Sequence, residues 1–185
     1  MPRYDLARRT LLRSSLMLVP GLAEALQHAH EAVKTASPAH LEYFTAADAA
    51  EIEALAGEII PGGDTPGAKE AGAIYFIDRA LGTFDRDKRD LYAAGLAAAQ
   101  AQRRKLFPGS TSLAALTPAQ RIKVLEAIEK TEFFEALREH TIISFLADPA
   151  WGGNRGKAGW KLIGFDDQWA FQPPFGYYDR PENAQ

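Results

Sequence analysis

The chain has 185 residues, 46% of them hydrophobic, a formal net charge of −3 and no cysteine. That length fits one compact domain with a leader or tail, and the acidic balance leaves no basic field for a nucleic-acid backbone. The absence of thiols excludes disulfides, thiolate metal sites, iron–sulfur ligation and thiol-linked haem attachment in this chain, and no apolar run is long enough to predict a spanning helix.

The N-terminus pairs Arg8 and Arg9, then continues Thr10, Leu11, Leu12, Arg13 and a short apolar stretch from Leu16 to Leu22. Paired arginines ahead of an apolar run have the order of a twin-arginine export signal. Residues 1–36 carry five Lys/Arg against three Asp/Glu, a balance of +2, while the remainder has 16 against 21, or −5. An amphipathic first helix with a solvated arginine pair is the other reading of these residues. We assign 1–27 to a leader and 28–43 to a linker. His28, His30 and His40 lie in or beside polar, small-residue sequence with no further ligand nearby, so a linker is expected there rather than a metal site.

Residues 44–185 read as an all-α domain of about five helices with a long aromatic and glycine-rich C-terminal coil. Thr45 with Asp48 starts a helix whose apolar face is Ile52, Leu55, Ala56, Ile59 and Ile60. Pro61, Gly62 and Gly63 stop it, and "PGGDTPGAKEAG" reads as a turn between helices, because no strand precedes it and no Gly-Lys-Ser/Thr closes it. Ile74, Ile77 and Leu81 mark a second helix. A third is expected from about Asp85 to Phe107, ahead of Pro108 and Gly109. Thr117, Pro118 and Gln120 announce a fourth, with Ile122, Leu125 and Ile128 spaced for burial. "TEFFEALREHTIISFLADP" continues helical with Phe134, Leu137, Thr141, Ile142 and Phe145 on one side. Helices this short need one another's apolar faces, so a bundle follows.

Recognisable chemistry is sparse. No serine stands in a G-x-S-x-G setting, and no dinucleotide fingerprint follows a strand pattern. His140 is the one histidine of the helical body. Glu139 or Asp148 could serve it as partner, but a surface or hydrogen-bonded structural role is the expectation. Glu51/Glu53 and Asp166/Asp167 read as solvated charge. We therefore assign no catalytic, cofactor-binding or metal-ligating residue to this chain.

The exception to this plainness is "DPAWGGNRGKAGWKLIGF" at 148–165. Its glycines permit unusual backbone, Trp151 and Trp160 carry large apolar area, and Asn154 and Arg155 carry directional polar heads. The tail continues through Trp169, Phe171, Phe175, Tyr177 and Tyr178. Such a coil wraps its own bundle or lies on a partner. We expect a partner interface at Trp151, Gly152, Gly153, Asn154, Arg155, Trp160, Phe165 and Trp169.

Three stretches together — the leader at Arg8–Arg13, "FTAADAAEIEALAGEIIPGGDTPGAKEAGAIYFIDRAL" at 44–81, and the block at 148–165 — resemble the small subunit (subunit 3, or gamma) of membrane-associated gluconate 2-dehydrogenase. The resemblance implies a non-catalytic subunit of a periplasmic complex. Its partner would be a large FAD-containing flavoprotein of the glucose–methanol–choline type that oxidises a sugar or gluconate. Electrons would then pass to a c-type cytochrome subunit where one is present. It also implies export by the twin-arginine route, which passes folded proteins and so suits a flavoprotein that must load its cofactor first. A free-standing periplasmic ligand-binding or chaperone-like helical protein is the alternative, and an independent hydrolase using His140 a weaker one.

Overall fold

The computed structural model describes residues 40–168 together with 170, 175, 176 and 180. The leader arginines Arg8 and Arg9, the histidines His28 and His30, and Trp169 lie outside the described residues. Among those described there are six α-helices and no strand: α1 Ala46–Ile59, α2 Ala73–Gly82, α3 Arg89–Leu106, α4 Pro118–Ile128, α5 Glu132–Leu146 and α6 Ala158–Leu162. The first five match the sequence expectation, and α6 is a five-residue addition inside the glycine-rich block. No helix among the described residues is long and apolar enough to cross a membrane.

The helix starts follow from local chemistry. Thr45 accepts the Asp48 N–H onto its hydroxyl, and Thr131 does the same for Phe134. Thr117 and Gln120 close a reciprocal capping box ahead of Pro118. α3 starts later than the sequence suggests. Asp85 opens a 3-10 turn, Arg86–Lys88, rather than capping a helix, because its carboxylate is turned to Lys88 and His140.

α2 and α5 pack together, α1 lies against α2, α4 and α5, and α3 joins α4 and α5. Ile52, Leu55, Ile77, Leu81, Tyr92, Leu113, Val124 and Leu137 fill the shared core. Two sequence expectations fail at helix surfaces. Ile122 and Ile142 are exposed, because the α4 core stripe runs through Val124, Leu125 and Ile128 and the α5 stripe through Leu137, Thr141 and Phe145.

Acids bind the connections to this core. Asp78, buried on α2, takes the backbone N–H groups of Glu42, Tyr43 and Phe44 at 2.6, 3.0 and 2.8 Å and so pins the chain entering α1. Glu51 corrects the expectation of solvated charge: it is buried and accepts the Leu113 N–H at 3.1 Å. An α1 acid thereby holds the loop between α3 and α4, whose backbone donor would otherwise be unpaired. Glu58 pairs with Arg121 at 2.7 Å and ties α1 to α4.

Candidate functional site

An α-helix leaves its last carbonyls without intrahelical partners. At the end of α5 these are met from the glycine-rich block. The Trp160 indole N–H donates to the Leu146 carbonyl at 2.6 Å, and the Asn154 amide donates to the Ala147 carbonyl at 2.9 Å. The Asn154 side-chain oxygen meanwhile accepts the Gly159 N–H at 2.9 Å. Asn154 is fully buried, and its φ of 45° lies in the left-handed region that asparagine tolerates better than most residues. One side chain thus closes α5 and starts α6. Gly153 and Gly159 run against the last turn of α5, where a Cβ would collide with the Ser144 and Phe145 carbonyl oxygens respectively. Among the residues expected at a partner surface, Gly153 and Asn154 are buried and brace the chain's own fold.

Trp151, Gly152, Arg155, Trp160 and Phe165 are at or near the surface. Arg155 bonds through its backbone N–H to the Ala71 carbonyl at 3.0 Å, and its guanidinium lies 3.7 Å from the Tyr75 ring centroid. Its stem crosses Gly72 so closely that a Cβ there would stand 2.6 Å from the Arg155 Cδ. Gly152, at φ 102°, turns the chain beside α2. Trp160 is half-buried and packs edge-on to the exposed Phe165 at 5.0 Å between centroids. Trp151 is 49% exposed and packs edge-on to Phe84, itself 54% exposed, at 5.8 Å.

Phe84 and Trp151 form the rim of a cleft of about 500 Å³ lined by Phe76, Asp85, Lys88, Glu139, His140, Ile143 and Ala147. At its floor a polar chain enters the core. The His140 Nε2 is 3.0 Å from Asp85 Oδ2, and its Nδ1 is 2.8 Å from the Tyr92 hydroxyl. A carboxylate only accepts, so Nε2 carries the proton toward Asp85 and Nδ1 accepts the Tyr92 hydroxyl. Lys88 holds the other Asp85 oxygen at 3.0 Å. Burial lowers the His140 pKa below its ordinary value, against the opposing pull of the Asp85 hydrogen bond. Burial would raise the Asp85 carboxyl, but the Lys88 and His140 hydrogen bonds outweigh it and hold that pKa down. Burial pushes the Tyr92 phenol far above its usual range. His140 is thus a neutral imidazole with both nitrogens committed, and it has no lone pair left for a substrate proton. Its partner is Asp85, 55 positions away, and not Glu139 or Asp148. The sequence reading expected a surface or hydrogen-bonded structural histidine, and the structure gives the hydrogen-bonded one in full burial. What that reading missed is the Phe84–Trp151 cleft. An isolated Phe and Asp in "TFDRDK" carry no periodic signal that would bring them beside residues 140–151.

The "PGGDTPGAKEAG" segment is the turn between α1 and α2. Ala68 N–H bonds to the Ile60 carbonyl at 2.8 Å, and Gly67 N–H bonds to the Glu70 carboxylate at 2.8 Å. These two amides are therefore satisfied by the chain's own carbonyl and carboxylate oxygens. Among the described residues no group of three or more His, Cys, Asp or Glu side chains is placed to hold a metal ion.

This is a small helical domain whose most unusual sequence closes one end of its own bundle and leaves aromatics showing. Gluconate 2-dehydrogenase subunit 3 is the family whose pattern matches the chain, over residues 46–167. The chain belongs to that family. The match takes in α1 to α6 and the whole glycine-rich block, so the described fold is the family's domain. No curated protein and no solved structure matches the chain. The family is by its name a subunit of a multi-subunit dehydrogenase, and this chain is accordingly an accessory subunit of that kind.

Proposed function

We propose that this chain is the non-catalytic small subunit of a periplasmic, FAD-dependent sugar or gluconate dehydrogenase, and that it assists assembly and export of the flavoprotein subunit by the twin-arginine route. The observation that carries the reading is membership of the subunit 3 family across the whole helical domain. Three features support it. His140, Tyr92 and Asp78 of the described core are held in structural hydrogen bonds, His140 through both ring nitrogens. The described residues form helices and loops with no strand, whereas a dinucleotide-binding site of the usual kind needs a parallel sheet with a glycine-rich turn, so FAD is assigned to the partner. Exposed aromatics at Phe84, Trp151 and Phe165 offer the apolar anchors a partner surface uses.

The leader explains why export would run through this subunit. A flavoprotein loads its cofactor before crossing, so a folded-protein route is required, and Arg8 and Arg9 supply the signal. Replacing both with lysine should strand the large subunit and its activity in the cytoplasm. Undiminished periplasmic dehydrogenase activity in that variant refutes escort by this signal. A c-type cytochrome subunit completes electron transfer in complexes that carry one.

A further inference from the structure

We propose that the cleft behind Phe84 and Trp151 anchors a cationic side chain, an arginine by the shape of the site, presented by the large dehydrogenase subunit. The inference rests on the accessory-subunit reading above and names the chemistry by which the partner is recognised. Phe84 and Trp151 meet at an interplanar angle of 87°. Phe84 also meets Phe76 at 6.2 Å between centroids, yet Phe84 and Trp151 stay 54% and 49% exposed, so aromatic surface is left open at the rim. Behind them Phe76, Ile143 and Ala147 make an apolar wall suited to the methylene stem of a long side chain. The charges lining the cleft are Asp85, Glu139 and Lys88, with His140 held neutral. Lys88 makes its direct ion pair with Asp85 and reaches Glu139 only by longer-range attraction, so Glu139 is the cleft carboxylate without a contact partner. It is exposed and makes no ion pair among the described residues. Exposed aromatic surface, apolar wall and a carboxylate without a direct ion pair, in a cleft whose charges sum to −1, together select a flat cation on an apolar stem over a neutral or acidic group.

The full chain and its flavoprotein subunit are titrated against each other at about 50 mM and about 500 mM salt, a range over which screening of an exposed charge becomes strong. Glu139→Gln should weaken binding about three- to tenfold at low salt and flatten the salt dependence. Trp151→Ala should weaken it about 30-fold or more. Glu139→Gln should not shift the melting temperature of the free subunit appreciably, and Trp151→Ala, which also removes the contact with Phe84, should lower it only by a few degrees, so both are compared well below melting. A wild-type complex that both variants match in affinity and salt dependence refutes the anchor and leaves the accessory role standing. Failure of the wild-type chain to bind the flavoprotein at all refutes the accessory role itself. A free chain that dimerises, and that Trp151→Ala returns to monomer, assigns the cleft to a second copy and overturns the proposal. So does binding that is lost on truncation after Gln168 but is indifferent to Trp151→Ala, which assigns the anchor to the tail.

Discussion

Asn154→Ala separates bracing from docking most sharply. Asn154 is fully buried and joins the Ala147 carbonyl to the Gly159 N–H. Alanine leaves both backbone groups buried without these partners, at about 1–3 kcal/mol each. It also sets a Cβ residue without a compensating local hydrogen bond at φ 45°, adding about 1 kcal/mol. Partial relaxation and water entry reduce the sum, so the expected loss is about 3–5 kcal/mol. Unfolding in urea reads this directly, and in heat it corresponds to a fall of very roughly 6–20 °C for a chain of this size. Asn154→Asp keeps the oxygen acceptor and the left-handed tolerance, loses the donor to Ala147 and buries a charge, so it should not restore stability. A loss below about 1 kcal/mol for Asn154→Ala, together with weakened binding to the flavoprotein, refutes the assignment of Asn154 to the helix cap and returns it to the interface.

Other variants extend the test. Gly159→Ala drives a Cβ into the Phe145 carbonyl and should destabilise the free subunit by at least about 2 kcal/mol, measured by urea denaturation. Trp160→Ala removes the donor to the Leu146 carbonyl and the contact with Phe165, so about 2 kcal/mol of stability should go before any effect on binding is scored. His140→Ala should cost about 2–4 kcal/mol in the free subunit yet leave turnover of the assembled complex nearly unchanged, as steady-state assay of purified complex would show. Acid should weaken the subunit. The His140 pKa is lowered on folding, so the unfolded chain takes the extra proton first, and stability present above about pH 6.5 declines as pH falls below it. Asp85, whose pKa is lowered from 3.8, adds its own loss only in stronger acid. Urea midpoints at about pH 7.5 and 5.5 should therefore differ in the wild type and converge in His140→Gln.

Much of the helical frame was legible because caps are local chemistry. Thr45 with Asp48, and Thr117-Pro118 with Gln120, satisfy orphan amides within one turn, so four consecutive residues suffice to read them. Burial was less legible. Ile122 and Ile142 fit a helical stripe, but the neighbours that choose which stripe turns inward come from other helices. Long-range polar contacts left no trace at all. Asp78 capping residues 42–44, Glu51 reaching Leu113 and Asp85 meeting His140 depend on how helices far apart in sequence cross. The glycine-rich block was rightly singled out as unusual, but the sequence could not divide it. Gly153, Asn154 and Gly159 turn inward to close α5, while Trp151 and Phe165 remain at the surface. The same residue types serve both roles, and only the position of the α5 carbonyls distinguishes them.

The central claim is that this chain works as part of a flavoprotein dehydrogenase and not alone. Its most direct test is to express the tagged chain with the proposed large subunit, purify through the tag and record the absorbance spectrum beside sugar-dependent dye reduction. A flavin spectrum co-eluting with the chain in fixed ratio, and activity that the separated chain lacks even with added FAD, is the predicted result. A chain that elutes without flavin, beside a large subunit that folds, is exported and turns over equally well in its absence, contradicts the account.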